Sequence, residues 1–164
     1  MYVVPGGIDV TDPFFAALRA RRPDVDLVIL PPADPPEPSP EATADELSRS
    51  AEAVDATVAA IAARLPEPTG DGPRWETYDH DNVRRWAQLE ARTTDGGTTL
   101  EGLDQAFRDA RWRSSLAVKA FHRWTASQPE VQIVGTWSAS HHALVVTVTG
   151  RVLHPAPGAR EVLT

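Results

Sequence analysis

Cysteine is absent from the 164 residues, which removes disulfides, thiolate nucleophiles and thiolate-bound zinc or iron–sulfur centres from consideration. Lysine is nearly absent as well. Lys119 is the only one, and the other 15 basic residues are arginine, a usage that fits a GC-rich coding genome. No apolar run approaches the roughly 18–20 residues that a membrane-spanning helix needs. The opening Met1-Tyr2-Val3-Val4 lacks a basic leader region, and Pro5-Gly6-Gly7 ends its apolar run. A secretory leader is therefore not expected, and the expected compartment is the cytoplasm. Positive charge is in short supply in the first part of the chain: residues 1–73 carry 13 acidic and 5 basic side chains, out of a net charge of −7. That balance argues against nucleic acid and against an anionic membrane surface as partners.

What the chain has in excess is proline, 15 residues, and tryptophan, five. Six of the prolines fall in 31–40, a stretch read as an extended polyproline-type spacer. Before it, residues 1–30 read as strand, helix and strand. Tyr2 to Pro5 is apolar, Asp12-Pro13 suits a helix start, and Leu27-Val28-Ile29-Leu30 is a buried strand. Together they make an N-terminal βαβ unit. After the spacer, Ser39-Pro40-Glu41 opens a helix whose Leu47, Ala51, Val54, Val58, Ile61 and Leu65 recur by three and four until Pro66. This seam suits packing against the chain's own sheet, or self-association with a second copy.

Residues 66–74 break the pattern. From Asp79 to Arg92, Val83, Trp86, Ala87 and Glu90 are stacked by three and four, which favours a helix, with a strand entering a hairpin as the alternative. Thr98 and Glu101 fit a capping box, and Leu103, Phe107, Ala110, Ser114, Ala117, Phe121 and Trp124 extend a helical face to about residue 125. Beyond Pro129 the period becomes two, so 131–137 and 143–153 form a β-hairpin across residues 138–142. The expected fold is α+β: a small mixed β-sheet, made of the N-terminal βαβ unit and the C-terminal β-hairpin, covered by three or four helices. It forms a single domain over 1–154, with 155–164 as a flexible tail.

Chemistry-bearing clusters are sparse. Gly6-Gly7 has neither the Gly-Lys-Ser/Thr nor the third glycine of a phosphate loop. Asp79-His80-Asp81 suits a helix-capping loop better than a metal site, because neighbours on an extended chain point apart. His141-His142, beside Ser138 and Ser140, has the residue types of a hydrolase but no nucleophile elbow. Two histidines also fall short of a zinc ligand set. No cofactor and no metal is expected. Trp86 and Trp112, with Arg84, Arg85, Arg108 and Arg111, are instead the residue types that dominate protein contact surfaces. The sequence thus reads as a non-catalytic protein–protein interaction module of adaptor, chaperone or immunity type, with those six residues as its partner-binding set. The alternatives are a small-ligand-binding regulatory domain, with its pocket between the sheet and the long helices, and a small hydrolase using His80 or His141/His142.

Overall fold

The computed structural model describes residues 40–79, 81–119 and 121–163, together with Ala17, Ala20 and Arg21. The chain divides into two units, Met1–Glu37 and Pro38–Thr164. In the first, Ala17, Ala20 and Arg21 are helical and exposed. The βαβ unit expected at 1–30, and the spacer at 31–40 except for Pro40, lie outside the described residues.

In the second unit a two-residue strand β1 (Glu41–Ala42) leads into helix α1 (Ala44–Ala62). The helix starts at a capping box. Glu46 N–H donates to Thr43 Oγ1 at 3.3 Å, and Thr43 N–H donates to Glu46 Oε2 at 2.9 Å. Thr43 Oγ1–H also donates to Glu46 Oε2, at 3.1 Å, and the Thr43 N–H and hydroxyl donors together hold the Glu46 carboxyl below its ordinary pKa of 4.5. Along α1, Leu47, Val54, Val58 and Ile61 are buried, so the seam read from the sequence is turned onto the chain's own sheet.

The sheet has six strands: β2 (Arg74–Asp79), β3 (Asn82–Arg92), β4 (Arg113–Val118), β5 (His122–Ser127), β6 (Val131–Ser138) and β7 (Ala143–Gly150). Their spatial order is β2-β3-β7-β6-β5-β4 and every pairing is antiparallel. Helix α2 (Gly96–Asp109) connects β3 to β4. Helix α1 packs on β3 and β7, and α2 on β4, β5 and β6. The core is the layer between, where Leu100, Leu103 and Phe107 of α2 meet Trp124, Ile133, Leu144, Val146 and Val148 of the sheet. A short strand β8 (His154–Pro155) pairs in parallel with β1. A 3-10 helix, Pro157–Leu163, follows, with Ala159 buried beside Ala42, Leu47 and Leu153. The segment expected to fray is thus packed on a second, smaller core.

This α+β fold corrects the expected one. It is mostly sheet, with six antiparallel strands and a two-stranded parallel pair, and the described residues of the second unit hold two α-helices and one 3-10 helix. It is not a small mixed sheet, from a βαβ unit and a hairpin, covered by three or four helices. Two segments account for the difference. Asn82–Arg92 is strand, because its buried positions, Ala87, Leu89 and Ala91, alternate; the helical spacing mixed residues from both faces. The helix expected to run to about 125 stops at Asp109. Trp112 N–H donates to Phe107 O at 2.9 Å and Arg111 N–H to Arg108 O at 2.8 Å, the two bonds of a Schellman C-cap. Arg111 takes the left-handed conformation (φ 63°) usually given to glycine. Trp112 completes the motif by packing edge-on against Phe107, with ring centroids 4.9 Å apart. The expected Thr98–Glu101 capping box is also displaced: Asp95 is the N-cap, and its side chain makes no capping bond.

One polar group in the core is left over. Ser50 is fully buried on α1 against Gly150, and its Oγ finds no hydrogen-bond partner among the described residues. A buried unsatisfied hydroxyl costs about 1–3 kcal/mol, and alanine is also the better helix former by a few tenths. Ser50→Ala will therefore raise the unfolding free energy by about 1 kcal/mol, read as a higher denaturant midpoint at unchanged slope. A lower midpoint would show that the hydroxyl is satisfied after all.

Candidate functional site

Successive side chains of a strand point to opposite faces, so the helix-covered face of the sheet fixes what lies on the other. Buried Ala87, Leu89, Val146, Val148, Ile133, Trp124 and Ala126 face the helices. Their alternate neighbours form a face that neither helix covers. The register places these neighbours in rows across the strands. One row runs Trp86, Thr149, Gln132, Ser127 from β3 to β5; the next runs Gln88, Thr147, Val134, Thr125; the third runs Glu90, Val145, Thr136, Arg123.

The centre of this face, on β6 and β7, is made of threonine, valine, glutamine, serine and alanine, and Val134 is 37% exposed there. The aromatic rings and paired charges lie on the β2–β3 side, and Arg123 of β5 and Arg113 of β4 stand on the other. The Arg74 guanidinium lies over the Trp86 ring, 4.4 Å from its centroid, and Arg84 lies 5.0 Å over Tyr78. Arg84 also pairs with Glu76 across the strands, and Arg74 with Asp71 at 2.8 Å. These pairs hold long side chains flat against the sheet, which covers apolar ring surface while leaving the donors at the rim.

The six residues singled out from the sequence do not share one surface. Arg84 and Trp86 lie on the open face. Arg85, one residue between them, points to the helix side and grips Asp55 of α1 with two bonds of 3.1 and 3.0 Å. Trp112 packs on Phe107, and Arg108 pairs with Asp104 at 2.7 Å. Arg111 is exposed at the end of α2. The last three therefore sit by β4, about 19 Å across the sheet from β3 at the usual strand spacing. The central residues Val134, Thr136, Val145 and Thr147 were not singled out. Their signal is the contrast along β7 between inward Leu144, Val146 and Val148 and outward Val145, Thr147 and Thr149.

The hydrolase candidates resolve differently. His80 lies outside the described residues. His141 Nδ1 lies 2.9 Å from Ser138 Oγ and 3.0 Å from Ser140 Oγ on an exposed turn. Among the described residues no carboxylate bonds this histidine to orient it, as a serine nucleophile's base requires. His142 occupies the turn with φ 48°, and its carbonyl accepts from Thr93 N–H. No group of three or more His, Asp or Glu among the described residues is placed to hold a metal ion.

A groove of about 250 Å3 runs between the helices, lined by Ala56, Thr57 and Ala60 of α1 and by Ala106, Phe107 and Trp112. The exposed Arg64 stands at its rim. It lies between the helices rather than between helices and sheet, where the core is filled. Its size falls below the roughly 300–1,000 Å3 of most small-molecule sites. Among the described residues no helix is long and apolar enough to cross a membrane. Comparison with protein-family models, with curated proteins and with solved structures gave no match.

Proposed function

We propose that the chain is a non-catalytic protein–protein interaction module and that the open face of the six-stranded sheet is its contact surface. The observation that carries this reading is the absence of charge at the centre of the face. The eight outward positions of β6 and β7, the alternate residues of 132–138 and 143–149, hold no Asp, Glu, Lys or Arg. An ordinary soluble surface, with roughly 25–35% charged residues, would place about two there. Contact surfaces between proteins are depleted of charge at the core and enriched in aromatic residues and arginine. Trp86, Arg74, Arg84 and Tyr78 supply the latter on one flank.

The test compares the full chain with a Val134→Asp/Thr147→Asp variant as bait in a lysate of the source organism. The two positions are cross-strand neighbours on the open face, so the paired carboxylates should lower the unfolding midpoint modestly, and capture is compared at a temperature where both baits stay folded. The expected result is a stoichiometric protein retained by the parent chain and lost from the variant. Equal capture by both baits would show that the contact surface lies elsewhere.

A further inference from the structure

We infer that the open face is closed by a second copy of this chain, across a two-fold axis that runs parallel to the strands midway between β6 and β7. The inference rests on the reading of that face as a contact surface, and it follows from one row of the sheet. Glu90, Val145, Thr136 and Arg123 lie side by side on β3, β7, β6 and β5. The two charges at the ends of the row are exposed and opposite in sign. Neither is neutralised within the described chain. The Glu90 carboxylate accepts only from Gln88 Nε2, at 2.9 Å, and Arg123 makes no ion pair. Three strand spacings, about 14 Å, separate them, too far for them to meet each other.

A two-fold axis at the middle of the row reverses its order in the second copy. Glu90 then lies opposite Arg123 of the second copy, Arg123 opposite its Glu90, and Val145 opposite its Thr136. The row beside it pairs Thr147 with Val134, and Gln88 with Thr125. The third row pairs Trp86 with Ser127, and Thr149 with Gln132. Within these four strands no like charges meet; at the ends of the third row Arg74 of β2 comes opposite Arg113 of β4, where Arg74 keeps Asp71 as its own partner at 2.8 Å. Moving the axis by half a strand spacing, onto β6 or onto β7, removes both ion pairs, so the pairing of Glu90 with Arg123 requires this one register. Sheets packed face to face lie about 10 Å apart with strands within roughly 30° of each other, a gap that glutamate and arginine together can span. The axis makes an isologous contact, the commonest kind between identical chains. Its two ion pairs flank the uncharged centre, where they serve alignment more than affinity.

Sedimentation velocity on the full chain tests this. The parent chain is expected to be a dimer at micromolar concentration. Glu90→Arg and Arg123→Glu, each alone, set like charges against each other and should weaken association about tenfold or more. Mixing the two variants should restore the dimer, because each then supplies the charge the other lacks. A parent chain still monomeric at about 100 μM would overturn the inference, since its association would be too weak for a working dimer. So would a dimer indifferent to both charge reversals. A monomeric chain whose captured partner is lost on Val134→Asp/Thr147→Asp would overturn self-pairing alone and leave the contact surface standing. A dimer that also ignores that double substitution would remove the open face from both readings.

Discussion

Trp124→Ala will cost about 3–5 kcal/mol of unfolding free energy, the usual range for removing a large aromatic residue from a core. Trp124 is fully buried on the helix-covered face of β5, next to the edge strand β4. Phe107 of α2 meets its ring edge-on with centroids 5.1 Å apart, and the indole N–H donates to Ser114 Oγ at 2.9 Å. Ser114 in turn donates to the buried Asp104 at 2.6 Å, and Arg108 neutralises that carboxylate. Trp124 thus joins α2 to β4 and β5 by packing and by a bonded chain. Because Ser114 and Asp104 keep each other as partners, most of the loss is apolar. Trp124→Phe separates the two contributions: it keeps a ring and drops the donor, and should cost about 1–2 kcal/mol. Denaturant midpoints at unchanged slope would read both. Against the 5–15 kcal/mol typical of a domain, the alanine variant loses a large share of total stability. A loss under about 1 kcal/mol would mean that Trp124 does not hold α2 to the sheet.

How far the sequence reveals this architecture depends on the strength of local periodicity. The α1 seam was legible because Leu47, Val54, Val58 and Ile61 mark one narrow stripe, and all four are buried. In β3 the inward residues include Ala87 and Ala91, too small to stand out against outward Trp86, so the period of two was masked by a spurious period of three and four. The end of α2 carried no glycine or proline to signal it. Arg111 fills the left-handed position, and the stop is set by tertiary packing of Trp112 on Phe107, which no local pattern encodes. Ser114 and Trp124 then fell on the helical stripe although they face the core from two different strands.

The candidate site was less legible than the fold. Arg84 and Trp86 were found by residue type. Arg85 was taken with them, yet alternation sends it to the other face, where Asp55 holds it. The central row is spread over residues 90, 123, 136 and 145, which become neighbours only when four strands take their register. A face of this kind is a long-range property. Sequence spacing carries no trace of it, except that outward positions of single strands avoid charge.

The second large effect is expected where α2 begins. Gly96 and Gly97 are buried in the first turn of the helix. The reason is steric. A Cβ on Gly96 would overlap the indole ring of Trp137, and that ring has little freedom to retreat. Its Nε1–H donates to Thr93 O at 3.4 Å, and His122 packs on it edge-on with centroids 5.1 Å apart. Overpacking of this kind costs about 1–3 kcal/mol, occasionally more, and Gly96→Ala should lie at the upper end. Gly97→Ala should cost less, since its Cβ would meet only the ring edge of His122, at 3.2 Å. Gly102, one turn on and exposed with nothing within 4 Å, is the control. There alanine should stabilise by up to about 1 kcal/mol, through helix propensity alone. Thermal or denaturant unfolding of the three variants should therefore rank Gly102→Ala above the parent, Gly97→Ala below it and Gly96→Ala lowest. Trp137→Leu in the Gly96→Ala background should recover part of the loss, a non-additivity that only direct contact produces. If instead Gly96→Ala stabilised like Gly102→Ala, the start of α2 would not be pressed against β6, and the helix would sit differently on the sheet.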